Sequence, residues 1–512
     1  MKKLIYLFTC IIGTAACTDG FDEMNIDPNN PVKASSQSIL LAAQRTITHT
    51  LLDDNNVFTT LNWVQYHAKL GYSEQTYDID WNTDAFFNNQ TAVLNNLELL
   101  RKQAVSDEHA NYEAVAIIMK TWVFSYFTDM YGDIPYSEAL KAMDENILYP
   151  KFDTQESIYN DLVAKLKEAD AKIELEPGVA DIDGASDIFC QGDMLKWKKF
   201  ANSLRARLLL RMSESAADVA KAGLEEIFQN PDTYPVLEDN LDNVGVKFIG
   251  ETSGVNTSIF VQQTNNGQVR AVSTTLVDLL CANNDPRRTI MLNATKKSVD
   301  SVTAGVWTEY EYQGVPPAVL SPFNSFQIND VSTVGDAISL DYSRPIDVLT
   351  YGEVLFIKAE AASKGYNVGS NVADIYVEGV KASMEKWGVT DQGTVDQYLA
   401  LPFVAFDSSR AQEQIITQRY IEQFHQALNT FAMIRRSGFS GLKWVSIGFS
   451  IENGYPDRIP YSHNMRGGNP NFETIAPQLT KNLWGNMWFA KDITVTTAAA
   501  YEEPVVYKFI YN

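Results

Sequence analysis

Three sets of residues in this chain could do chemistry: one cysteine near the amino terminus, two aromatic–polar clusters, and a surplus of carboxylates. Cys17 follows Lys2 and Lys3, an apolar run from Leu4 to Ile12, and the small residues Gly13-Thr14-Ala15-Ala16. The apolar run is too short to span a bilayer, so the order predicts a lipoprotein signal segment over residues 1–16. Cleavage before Cys17 would leave its thiol to carry acyl chains such as palmitate, each buried methylene adding about 0.8 kcal/mol of membrane affinity. Cys10 is the competing acceptor, but it would leave an apolar core of six residues and put Thr9 before the cut. Thr14 stands where such signals usually carry Leu, and a plain secreted protein cut near Ala16 is the alternative.

The aromatic clusters point to an amphipathic ligand. Tyr72, Tyr77, Trp81, Phe86 and Phe87 alternate with Asp78, Asp80, Asn82, Asp84, Asn88 and Asn89. Trp307, Tyr310, Tyr312, Phe323 and Phe326 lie among Glu309, Glu311, Asn324 and Asn329. Flat rings can cover the C–H face of a sugar while amides and carboxylates bond its hydroxyls. On this basis Tyr77, Trp81, Trp307, Tyr310 and Phe326 are the expected ligand contacts. Any one of these rings alone reads better as core; as two clusters in loop-like sequence, binding and core packing are even readings.

Catalytic constellations are missing from the sequence. The five histidines (His49, His67, His109, His425, His463) are scattered, with no H-E-x-x-H pair to hold zinc from one helical turn. There is no G-x-S-x-G elbow and no G-x-x-x-x-G-K-[ST] phosphate cradle. Asp181-Ile-Asp183-Gly184 resembles the start of a calcium loop but lacks the later oxygen ligands and the closing Glu. No cofactor or metal is expected, and no catalytic residue is assigned. The 64 acidic residues still permit a glycosidase-type pair, so a surface glycoside hydrolase stays open as the rival reading.

Stepping from chemistry to scaffold, the chain without residues 1–16 carries 39 basic and 64 acidic residues, a net charge of −25. That charge repels nucleic acid and anionic membrane surfaces. With 45% apolar residues the chain can bury a large core, and no linker-like stretch divides it. Residues 17–35, polar with two prolines, read as a lipidated flexible tether, and residues 36–512 as one body. Cys190 and Cys281 could pair in an exported protein, which spacing alone leaves open.

Helical periodicity dominates the body. Trp197, Phe200, Leu204, Leu208 and Met212 form one stripe, with Lys198, Arg205 and Arg207 on the other face. Ile416, Tyr420, Phe424, Leu428 and Phe431 form a second, stopped at Gly438, and Val354 to Ala362 a third, stopped at Gly365. Further helices are expected over 36–52, 90–103, 109–129, 154–173, 214–229, 271–282 and 371–387. Paired helices of this length stack in tetratricopeptide fashion. Two regions, about 231–350 and 441–512, read as long loops with short strands such as Val244–Ile249 and Val306–Tyr312.

Several segments resemble the SusD/RagB-type nutrient-binding outer-membrane lipoproteins. Tyr131-Gly-Asp-Ile-Pro-Tyr-Ser-Glu-Ala139 after a long helix is the most specific. Gly192–Arg205, Asp285-Pro-Arg287, Tyr351–Ala361, Arg435-Arg436-Ser-Gly-Phe439 and Asp457-Arg-Ile-Pro-Tyr461 follow in the family's order. Ser462 stands where the last motif usually has a second proline. The resemblance implies a mainly α body of about four tetratricopeptide-like helix pairs with a loop-rich, ligand-binding face and a few short strands. It also implies a place on the outer leaflet of the outer membrane, with Asp19, Asp22 and Glu23 as the export signal. The implied work is capture, without catalysis, of an oligosaccharide or in some relatives a peptide. Delivery would be to a SusC-like TonB-dependent β-barrel partner. The motifs themselves also read as fold determinants: Gly132 and Pro135 closing a turn, Trp197 and Phe200 in the core.

Overall fold

The structure is a computed structural model that describes residues 34–50, 60–68, 70, 83–176, 182–251, 271–317, 326–439, 441–442, 455–479, 487–491 and 504–510. Among the described residues, ten longer helices form the frame. In the first half are α1 (Ser36–Thr50), α2 (Asp84–Ser106), α3 (Ala110–Tyr131), α4 (Gln155–Lys172), α5 (Met194–Met212) and α6 (Ala217–Gln229). In the second are α7 (Tyr351–Ser363), α8 (Val372–Lys386), α9 (Ala411–Glu422) and α10 (Ala427–Ser437). Their starts are written locally. The side chains of Thr154, Asp193, Thr350 and Asn371 each accept the backbone N–H three residues on, capping α4, α5, α7 and α8. Gly438 ends α10 in the left-handed region at φ 69°.

Consecutive helices pack on one another from α1 through α6, and α7 packs on both α8 and α9. Residues 107–109 between α2 and α3, and 213–216 between α5 and α6, are too short for anything but antiparallel neighbours. This is the tetratricopeptide-like stacking expected. α3 is buried on nearly every face, as an all-round apolar helix must be, and forms the centre of one large apolar core. Among the described residues the strands are short and pair in twos, all antiparallel. The pairs are β1 (His67–Ala68) with β5 (Ala271–Val272), β2 (Ile134–Pro135) with β3 (Phe152–Asp153), β4 (Val244–Val246) with β7 (Ile346–Leu349), and β6 (Glu309–Tyr312) with β8 (Tyr507–Ile510).

The sequence motifs close buried ion pairs between these helices. Arg207 of α5 grips Glu353 of α7 with Nε and Nη2 at 2.9 and 2.6 Å, and Arg419 of α9 donates to the same carboxylate at 2.9 Å. Burial opposes ionisation of Glu353, but the two guanidiniums outweigh it and hold its pKa at about 2. Arg436 holds Glu360 in a two-pronged pair at 2.6 and 2.7 Å. Arg211 pairs with Asp129, and Arg435 donates to the carbonyls of Asp129 and Asp457 at 2.7 and 2.5 Å. Arg287 holds Asp285 at 3.0 and 2.7 Å. Asp187 accepts the Trp197 indole N–H at 2.7 Å and the amide of Gln44 at 2.8 Å, tying α5 to α1.

Several expectations are corrected. Arg205 and Arg207 do not form a solvent face: both are buried, Arg205 on Glu226 and Arg207 on Glu353. The stripe from Ile416 to Phe431 is two helices, because the chain turns at residues 423–426 with His425 in the left-handed region at φ 71°. The helix expected over 90–103 starts at Asp84, and the one over 271–282 opens with the strand β5 before Thr274–Ala282. At the start of α1, Gln103 of α2 donates to the Ala34 carbonyl at 3.2 Å and the Ser36 hydroxyl at 3.0 Å. Cys190 and Cys281 are both buried and unbridged. Cys17 lies outside the described residues.

Candidate ligand-binding face

A second, small apolar cluster stands apart from the main core. Ala68, Ala271, Val315 and Val331 are buried together, and Leu70, Phe326 and Ile328 pack against them. Backbone pairing assembles it from three distant segments. His67 faces Val272 and Ala68 faces Ala271 in the β1–β5 pair. The Val315 N–H donates to the Val272 carbonyl at 2.9 Å, and the Thr274 N–H to the Val315 carbonyl at 3.0 Å. Gly314 permits that approach, because a Cβ there would stand 2.5 Å from Thr274 Cα. From the same point Ser273 caps the helix Thr274–Ala282 by accepting the Leu276 N–H.

Residues 71–82, 252–270 and 318–325 adjoin this cluster in sequence and lie outside the described residues. Tyr72, Tyr77, Trp81 and Phe323 fall there. The remaining expected contacts separate into three situations. Trp307 is half-buried, follows the helix Lys296–Thr303, and belongs to neither apolar cluster. Phe326 is half-buried against the small cluster. Tyr310 sits opposite Phe509 in the β6–β8 pair and packs on the main core.

Tyr310 thus packs on the framework beside its more deeply buried strand neighbour Tyr312. Tyr312 meets Phe509 edge-on at 5.6 Å, and the Arg288 guanidinium lies over both rings, 3.5 Å from Phe509 and 5.3 Å from Tyr312. Burial, opposed by Arg288, raises the Tyr312 phenol above its ordinary pKa. Glu311 is partly occupied by Lys508 at 3.1 Å across the strands. Phe86 and Phe87 are also corrected: they ride on α2, where Phe86 is buried against Phe127 and Tyr131 and Phe87 packs on Phe127. Asp84 and Asn88 serve the frame too, through His463 and Asn464 at 3.2 and 2.9 Å.

Two sequence readings of other residues change as well. Asp183 accepts the Ala185 N–H and the Ser186 hydroxyl, both at 3.2 Å, which is a turn cap; Asp181 lies outside the described residues. The histidines are not all apart. His67 and His425 bring their Nε2 atoms to 3.4 Å at the edge of the β1–β5 pair. Nothing in the local sequence of either histidine signals that meeting, since 357 residues intervene between them.

A family model described as "Starch-binding associating with outer membrane" matches residues 28–462. No curated protein matches the chain significantly. Among solved structures, a chitin-binding protein is 26% identical, with a TM-score of 0.75 over 90% of this chain and 100% of its own. A SusD homolog from Bacteroides uniformis is 24% identical, with a TM-score of 0.75 over 90% and 100%. A chitin-binding SusD homolog from Flavobacterium johnsoniae is 20% identical, with a TM-score of 0.74 over 89% and 98%. The last two similarities speak for the fold alone.

Proposed function

We propose that this chain, which belongs to the SusD-like family, captures a glycan outside the outer membrane and hands it unaltered to a SusC-like TonB-dependent β-barrel. The match of a starch-binding, outer-membrane family model over residues 28–462 carries the reading. Trp307 supports it from the chain's own residues, being half-buried outside both apolar clusters and two positions from Glu309. An indole face covers the apolar side of a pyranose, and carboxylates accept its hydroxyls. The 26% identical chitin-binding protein makes chitin oligosaccharides the first ligands to try beside starch oligosaccharides. Acylated Cys17 and the following residues, 17–35, act in this reading as anchor and tether for the body.

Affinity electrophoresis through polysaccharide gels tests this. The wild type is expected to be retarded by at least one glycan and to release no reducing ends. Trp307→Ala should run closer to its mobility in a glycan-free gel, with an unchanged circular-dichroism spectrum. Reducing ends released by pure protein and abolished by one Asp or Glu substitution would replace this reading with a surface glycoside hydrolase. Retention by no glycan, with saturable binding of oligopeptides, would replace it with peptide uptake.

A further inference from the structure

A cleft of about 360 Å³ opens between α2, α3 and α4 beneath the 136–145 segment, and no residue of the loop face lines it. That volume is at the small end of ligand sites, suited to one or two sugar rings. Part of its wall is apolar: Ile117, Phe124, Ala139 and Leu140, with the Tyr136 ring edge-on to Phe124 at 4.8 Å. The polar lining is mixed, with Lys141, Asp144 and Glu145 on the overlying segment and Asp161, Lys165 and Glu168 on α4. On α2 and α3 three cations converge on one carboxylate. Arg101 gives Nε and Nη2 to Glu98 at 3.0 and 2.7 Å, Lys120 donates to the same group, and Lys102 reaches it at 4.0 Å while pairing with Asp144. On α4, Asp161 accepts the Tyr136 hydroxyl at 2.6 Å.

One carboxylate cannot use all that three cations offer. An ammonium carries three N–H donors, and Glu98 is the single acceptor Lys120 has among the described residues. The Lys120 side chain is only 20% exposed. Burial, helped by the nearby charges of Arg101 and Lys165, lowers its pKa despite Glu98. Lys120 therefore turns spare donors toward the cleft, which a ligand anion can take in place of water. A ligand carboxylate placed there would take the spare donors. The same ligand's ring could lie on Tyr136 and Phe124 and give a hydroxyl to Asp161.

We propose that this cleft is a second binding site, for a sugar unit bearing a carboxylate, such as a hexuronic acid. It goes beyond the glycan-capture reading and shares no residue with the loop face. Calorimetry on the detergent-solubilised full-length protein, titrated with galacturonate and glucuronate, tests it. At least one should bind, at least tenfold tighter than its neutral hexose and its methyl ester, and more weakly as salt is raised. Lys120→Met should weaken binding at least tenfold, and Ala139→Trp, which fills the cleft from its rim, should abolish it, both with unchanged circular dichroism. Trp307→Ala should leave it intact even where it releases the protein from a polysaccharide gel. No binding of either uronate, equal binding of the neutral sugars, or equal binding of glutamate, which has the charge without the ring, would overturn the proposal. So would loss of uronate binding in Trp307→Ala. Intact uronate binding in a protein that no glycan gel retards would sink the glycan-capture reading alone.

Discussion

Glu353 shows what the motif residues do at the scale of single side chains. It is fully buried, yet it accepts from Arg207, from Arg419 and from Asn429 at 3.0 Å, so three helices depend on one carboxylate. Glu353→Gln keeps the shape but leaves Arg207 buried without its counter-charge and Arg419 with only Glu360 at 3.8 Å, a change that costs about 3–5 kcal/mol in such pairs. Urea unfolding at pH 7 should show that loss. The pH dependence has a definite sign. The folded pKa of about 2 lies below the ordinary 4.5, so the contribution is fully present above pH 4.5 and lost as pH falls towards 2. Glu214, partly buried and held at about 2 by Lys364 and Lys491, loses its share in the same window. Wild-type stability should therefore drop steeply between pH 4.5 and 2, and Glu353→Gln should drop less steeply. Equal slopes would mean that Glu353 does not carry this linkage. None of these pairings was legible in the sequence, where Arg205 and Arg207 read as a wet helix face. Charge signs are visible in a sequence, but a carboxylate 146 residues away is not.

At the scale of elements, apolar periodicity disclosed most helices, and it failed where a stop has no chemical mark. The stripe from Ile416 to Phe431 keeps its spacing through residues 423–426, where His425 takes the left-handed conformation with no glycine or proline to mark the turn. The described members of the aromatic clusters divide between frame and surface. Trp307 stands outside the packed core, but Phe86 and Phe87 belong to the first turn of α2 and Tyr310 to a strand that packs on the core. Alternating rings and carboxylates describe a two-sided strand as well as a sugar platform. What the sequence could not disclose is the small cluster itself, because Ala68, Ala271 and Val315 meet only through backbone pairing. Gly314 is its keystone. Gly314→Ala would set a methyl group against the backbone of Thr274. The β1–β5 pair and the Val315 bridge should be forced apart while the helical frame is spared. Expected results are a far-ultraviolet spectrum within a few per cent of wild type and weakened retention in glycan gels. Unaltered retention would show that this cluster does not support the binding face.

For the whole molecule, net charge and local charge act over different distances. A net charge of −23 opposes anionic partners from afar. The Debye length is only about 8 Å at physiological salt, so the three cations around Glu98 govern what enters their cleft. Membrane attachment is the remaining question at this scale. No helix among the described residues is long and apolar enough to cross a membrane. The proposed attachment therefore rests on acyl chains at Cys17, and one such chain holds a protein only marginally, whereas two or more hold it stably. Gln103 fixes Ala34 and Ser36 to α2. Cys17→Ala separates anchor from receptor. The variant should bind its glycan in solution with wild-type affinity, partition away from the outer-membrane fraction, and fail to support growth on that glycan at limiting concentration. Supplying the soluble variant outside the cell at high concentration should restore part of the growth, since tethering acts by raising local concentration. Loss of affinity in solution would show that the lipidated end takes part in binding, and normal growth without membrane attachment would show that capture does not require the tether.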